Sequence, residues 1–135
     1  KYLYFVQGWS LALNGKPLFN STFKAWELGP VPTDIRYDYK DYENAPIPPQ
    51  PSPENITDEE AEFVAGIWDT IKGYSGFQLA RMAKAEPDSP WRIARGNIPD
   101  TDSSNEPIDD ALIKAQFQKF RDDAQQSLDL IARSI

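Results

Sequence analysis

Proline placement constrains this chain more than any other feature: twelve of its 135 residues are proline, and five of those fall in "ENAPIPPQPSPEN", residues 43–55. Proline fixes φ and lacks an N–H, so it is excluded from helix interiors and from the middle of a sheet. The segment therefore reads as an extended, polyproline-like connection. The other prolines mark ends. Pro32 suits the first turn of a helix that carries Asp34 near its positive end, Pro87 closes a helix, and Pro90 follows the capping residue Ser89.

Between these breaks the apolar residues recur at helical spacing. Tyr2, Phe5, Val6, Trp9 and Leu13 form one stripe, stopped by Asn14 and Gly15. The run "PLFNSTFKAWEL" changes pattern and predicts a small hairpin between Lys16 and Leu28, with Phe19, Phe23, Trp26 and Leu28 to bury. After the next turn, Ile35, Tyr39 and Tyr42 mark one helix face and Tyr37 another. "TDEE" at Thr57 and Ser75 with Gln78 are capping boxes, each opening a helix, the first carrying Val64, Ile67, Trp68 and Ile71 and the second Leu79, Ala80 and Ala83. "SPW" starts a short helix ended by Gly96, and a polar loop over 97–107 precedes a final stripe of Ile113, Phe117, Phe120, Ala124, Leu128 and Ile131. The expected fold is mainly α: a single compact domain over residues 1–135, about six helices with a small β-hairpin after the first. Because the chain begins without Met and already in helical register, the first helix is expected to start before Lys1.

Chemistry is bounded by what the sequence lacks. It contains no Cys and no His, which removes disulfides, thiolate and imidazole metal sites, and the Ser-His and Cys-His nucleophile pairs. A formal net charge of −7 argues against nucleic acid or an anionic membrane as the main partner. The first residues are too short and too polar an apolar stretch to span a bilayer. A cytoplasmic chain with a protein partner is the expectation.

The candidate motifs are weak as catalytic or metal sites. Asp100, Asp102 and Ser104 match the start of a calcium loop, but Asn105 stands where glycine is needed and Ala111 where the bidentate glutamate belongs. The neighbouring carboxylates Glu59–Glu60, Asp109–Asp110 and Asp122–Asp123 diverge around their helices and read as helix-start or solvated charges. No catalytic residue, metal or cofactor is expected. Arg81, Lys84, Arg92 and Arg95 form the only local basic concentration, interrupted in sequence by Glu86 and Asp88. Trp9 and Trp68 read as core, and Tyr37 as an exposed aromatic of the kind that anchors protein interfaces.

Four segments, "LYFVQGWSLALNGKPLF", "FKAWELGPVP" with "YKDY" after it, "YSGFQLARMAK" and "SPWRIAR", resemble in this order the Panacea domain, the family of SocA-like antitoxins and phage-associated proteins. The resemblance runs from Leu3 to about Phe117. It implies a mostly helical antitoxin that is not an enzyme and that neutralises, by direct binding, a toxin encoded by a neighbouring gene. One branch of the family instead hands the toxin to a cellular protease, and the third alternative is a carboxylate-based or metal-dependent enzyme. Many relatives carry a Thr-His pair where this chain has Ala83 and Lys84, so no role of that histidine carries over. The residues expected to meet the partner are Arg36, Tyr37, Arg81 and Lys84.

Overall fold

The computed structural model describes residues 1–39 and 56–134, and of these the side chains of Tyr37, Asp38, Tyr39 and Ser134 lie outside the description. The proline-rich connection and Tyr42 fall in the part not described. The order is α1 (Tyr2–Asn14), β1 (Phe23–Trp26), β2 (Gly29–Pro32), α2 (Thr33–Tyr39), α3 (Asp58–Ile71), α4 (Gly76–Lys84), α5 (Pro90–Arg95) and α6 (Asp110–Ser134). The fold is mainly α, with six helices and one two-stranded antiparallel hairpin after the first helix among the described residues.

α1 is the centre of the molecule, packed against α6, α3 and β2. This alters the expected single stripe. Tyr4, Leu11 and Ala12 are buried together with Phe5 and Val6, whereas Leu13 is half exposed. A helix covered on several sides must also bury polar side chains, and those need partners. Gln7 supplies three bonds to the chain that follows: its Nε2 donates to the Phe19 carbonyl (2.8 Å), and its Oε1 accepts the N–H groups of Leu18 (2.9 Å) and Phe19 (3.3 Å). Ser10 donates to the Lys16 carbonyl at 2.8 Å. Gly15, at φ 73°, turns the chain in the left-handed conformation expected of it.

These bonds hold residues 16–19 as an irregular connection, and the hairpin lies later than the sequence predicts. It pairs Phe23 with Pro32 and Trp26 with Gly29, so Glu27 and Leu28 form the turn. Leu28 is accordingly 69% exposed and not buried, and Pro32 ends β2, the helix starting at Thr33. Two prolines in one short strand are compatible with pairing because of their parity. The Ala25 N–H donates to the Glu106 carbonyl and the Ile108 N–H to the Phe23 carbonyl, both at 2.8 Å, so Phe23 and Ala25 face away from β2. Their partners across the hairpin are Pro32 and Pro30, positions where the ladder requires no N–H from β2.

The start signals are realised. Thr57 with Glu60 and Ser75 with Gln78 form complete capping boxes at α3 and α4. Ser89 caps α5 with Pro90 in its first turn. Asp109 caps α6, its Oδ1 accepting the Ala111 N–H at 2.9 Å. Ile67, Ile71, Leu79, Ala83, Trp91, Ile113 and Phe117 join the α1 residues and Phe23 in one core. Trp68 does not: it is 50% exposed, its ring meeting Tyr2 edge-on at 5.3 Å. Trp9 is half-buried against Phe117, ring centroids 5.2 Å apart. Along α6 only the first half packs, and from Arg121 onward every described side chain is exposed, Leu128 and Ile131 included.

Candidate functional site

The hairpin segment "KAWELGPVP", residues 24–32, is built around Trp26. Its Nε1 donates to Asn105 Oδ1 at 3.0 Å, and its carbonyl accepts the Trp91 indole N–H at 2.6 Å. The Arg36 guanidinium, one turn into α2, lies 5.0 Å from the Trp26 ring centroid. Together with Leu3, Leu28, Val31 and Ile35 these two residues line a groove of about 1160 Å³. Asp34, beside it, accepts a hydrogen bond from Ser21, which holds its carboxyl below the usual range. Tyr37 belongs to the same short helix.

A second hollow, of about 650 Å³, opens on the outer side of α4 and α5, lined by Tyr74, Gln78, Arg81, Met82, Lys84, Ala85 and Arg92. α4 is oriented by its inner face: Leu79, Ala80 and Ala83 are buried. Ala80 sits under the hairpin where a β-carbon on Gly29 (φ 130°) would stand 3.4 Å away, an ordinary contact, so the glycine is needed there for its conformation. The outward stripe is Phe77, Arg81 and Lys84, at i, i+4 and i+7. Phe77 is 70% exposed, and the Arg81 guanidinium lies 6.0 Å from its ring centroid. Trp91, fully buried, carries Lys84 and Arg92 at 5.2 Å and Arg95 at 4.7 Å from its centroid.

The basic quartet of the sequence is thereby divided. Arg95 is buried and donates to the carbonyls of Ala25 (2.9 Å), Pro99 (2.7 Å) and Asp102 (2.5 Å), tying α5 to β1 and to the loop after it. It is a structural residue, because its three bonds leave the guanidinium no surface to offer. Arg92 forms a two-pronged pair with Asp100, at 2.7 and 3.1 Å, and this bond holds the Asp100 carboxyl below its ordinary range, helped by the charges of Arg92, Arg95 and Lys84. The two acids that interrupt the basic run in sequence do not do so in space. Glu86 turns to Lys119 of α6, 3.9 Å away, and both Glu86 and Asp88 line a different depression.

Of the four residues singled out for partner contact, Arg81 and Lys84 share the α4–α5 hollow, while Arg36 lines the hairpin groove. These three lie on two surfaces, and the Tyr37 side chain lies outside the description. Sequence reasoning missed Tyr74, Phe77 and Met82, although the spacing of Phe77, Arg81 and Lys84 away from the Leu79, Ala80, Ala83 face carries the signal. The composition of the hollow, Tyr and Arg with Met and apolar stems, is that of residues enriched at protein interfaces. Its cations can take carboxylates, and its lining includes no Asp or Glu. Among the described residues no group of three or more acidic side chains is placed to hold a metal ion, and no helix is long and apolar enough to cross a membrane. The loop of Asp100 and Asp102 is instead engaged by Arg92 and Arg95.

The family model described as antitoxin SocA-like, Panacea domain, matches residues 1–92, from α1 into α5, a shorter span than the sequence resemblance. No curated protein and no solved structure gives a significant match to the chain.

Proposed function

Because the chain belongs to the SocA-like antitoxin family defined by the Panacea domain, we propose that it binds a toxin encoded by a neighbouring gene and silences it by direct contact in the cytoplasm. The family match over α1 to α5 carries this reading. The surface supports it: exposed Phe77 and Tyr74 beside Arg81, and Arg36 stacked on Trp26, are the rigid aromatic and guanidinium anchors that dominate protein interfaces. The net charge of −7 steers the whole domain toward a basic partner and away from nucleic acid.

The test is expression of the neighbouring gene with and without this chain, scoring growth and co-purification. Toxicity relieved by the chain, with a stoichiometric complex recovered, is the expected outcome. A neighbour that is harmless alone, or that stays toxic while this protein is abundant and folded, removes the reading. Following the toxin's half-life in cells lacking the major proteases separates contact from delivery: a neutraliser protects equally well in those cells, and an adaptor does not.

A further inference from the structure

The α4–α5 hollow has the opposite sign to the molecule that carries it. On a chain of net charge −7, its lining holds three cations, Arg81, Lys84 and Arg92, and no Asp or Glu. Only Arg92 has an acid within ion-pair distance, at Asp100, whereas neither Arg81 nor Lys84 forms an ion pair among the described residues. Each lies near a ring instead, Arg81 6.0 Å from the centroid of the exposed Phe77 and Lys84 5.2 Å from that of the buried Trp91. A cation resting on a buried aromatic face, as Lys84 does, has lost part of its rotamer freedom before any ligand arrives, which lowers the entropic cost of a further bond. Tyr74 (49% exposed) and Met82 (38% exposed) add apolar surface to the same hollow.

We infer that this hollow is the docking site for an acidic segment of the toxin, whose carboxylates meet Arg81 and Lys84 while an adjacent apolar side chain covers Tyr74 and Met82. The inference rests on the antitoxin reading and names the chemistry of its contact. Global and local charge then divide the work: the acidic domain is drawn to a basic partner, and this basic hollow fixes the register in which the two meet. A free inorganic anion would leave Tyr74 and Met82 uncovered. A nucleic-acid strand would have to bring its phosphates against the net charge of the whole domain.

The decisive experiment measures affinity for the neighbouring-gene toxin by calorimetry at low and high salt, using wild-type protein, the double variant Arg81→Glu with Lys84→Glu, and Arg36→Glu in the other groove. The double reversal is expected to weaken binding by about tenfold or more and to flatten its salt dependence, with an unchanged circular dichroism spectrum. Reversing the sign of the toxin carboxylate that cross-links to Lys84 restores it. As an independent measurement on the wild-type chain, a short peptide alternating Glu and Leu shifts the amide resonances of α4 and the Trp91 indole signal, and its Gln counterpart does not. A double variant that binds like wild type, or a Gln peptide that binds equally, overturns the inference. So does a single-stranded RNA that displaces the Glu peptide from α4. If wild-type protein does not bind the toxin at all, it is the antitoxin reading that fails.

Discussion

The ring of Phe117 lies directly over Gly8, so close that a β-carbon placed on Gly8 would stand 2.2 Å from its Cε2. The ring cannot retreat, because it meets Tyr4, Phe5, Trp9 and Phe120 at centroid distances of 5.6, 5.3, 5.2 and 5.1 Å. This contact sets the separation of α1 and α6. Gly8→Ala is therefore expected to destabilise the fold through overpacking, by about 1–3 kcal/mol or more, and Phe117→Ala by about 3–5 kcal/mol through the cavity it leaves. Urea denaturation of both variants checks this. A stable Gly8→Ala protein would mean that the two helices can move apart.

Arg95 is the second fixed point. Its removal would leave the Ala25, Pro99 and Asp102 carbonyls without their donor, and bonds from charged donors contribute about 1.5–3 kcal/mol each. Arg95→Met, which keeps much of the apolar stem over Trp91, is expected to lower the melting temperature strongly and to speed amide exchange at β1. If Arg95→Met melts like wild type, the guanidinium is not the tie between α5 and the hairpin.

The features readable from the sequence were those whose cause is local. Thr57 with Glu60, Ser75 with Gln78, Ser89 with Pro90, and Gly15 each act within a few residues of themselves, so pattern and geometry agree. What depended on distant partners was not legible. The hairpin falls at 23–32 because β1 is pinned on its far edge by residues 106–108. Arg95 is buried because an acceptor 70 positions earlier in the chain lies beside it. The site was half legible for the same reason. The face bearing Arg81 and Lys84 follows from helical spacing, but Glu86 lies past the end of α4 and near Lys119 of α6, which the spacing does not reveal.

The local caps make a separable pair of tests. Thr57→Ala and Ser75→Ala each remove an acceptor from an N3 backbone N–H, at an expected cost of about 1 kcal/mol apiece. The two sites open different helices and share no hydrogen-bond partner, so the double variant should lose the sum within about 0.5 kcal/mol. Chemical denaturation at equal slope measures it. A large non-additive excess would show that α3 and α4 form cooperatively from their starts.

A small part of the acid sensitivity should be traceable to Asp100. Its carboxyl is held below its ordinary value of 3.8 by the bond from Arg92. A carboxyl whose pKa is depressed on folding contributes stability above its unfolded value, and loses it as pH falls through the folded one. Wild type and Asp100→Asn should therefore differ by a constant amount above about pH 5 and converge below the ordinary Asp range. The pair is exposed, so the difference is expected to be small and to shrink in high salt. Melting curves from acid to neutral pH test this, and a gap that widens on acidification contradicts it.

The far half of α6 is expected to be dispensable for folding. Ile113, Gln116 and Phe117 are buried, and Gln116 joins three elements by accepting the Tyr4 hydroxyl at 2.6 Å and donating to the Ala83 carbonyl at 3.1 Å. Beyond Phe120 every described side chain is exposed, and the apolar residues Leu128 and Ile131 meet solvent with about 60% of their surface. A helix is stabilised mainly by the face it buries. Ending the chain after Arg121 should thus change global stability by no more than about 0.5 kcal/mol, as surface changes do, while ending it after Lys114 should prevent folding. Thermal melts and near-ultraviolet circular dichroism of the two truncations decide the matter. A marked loss of stability in the longer one would show that residues 122–134 pack on the domain in solution.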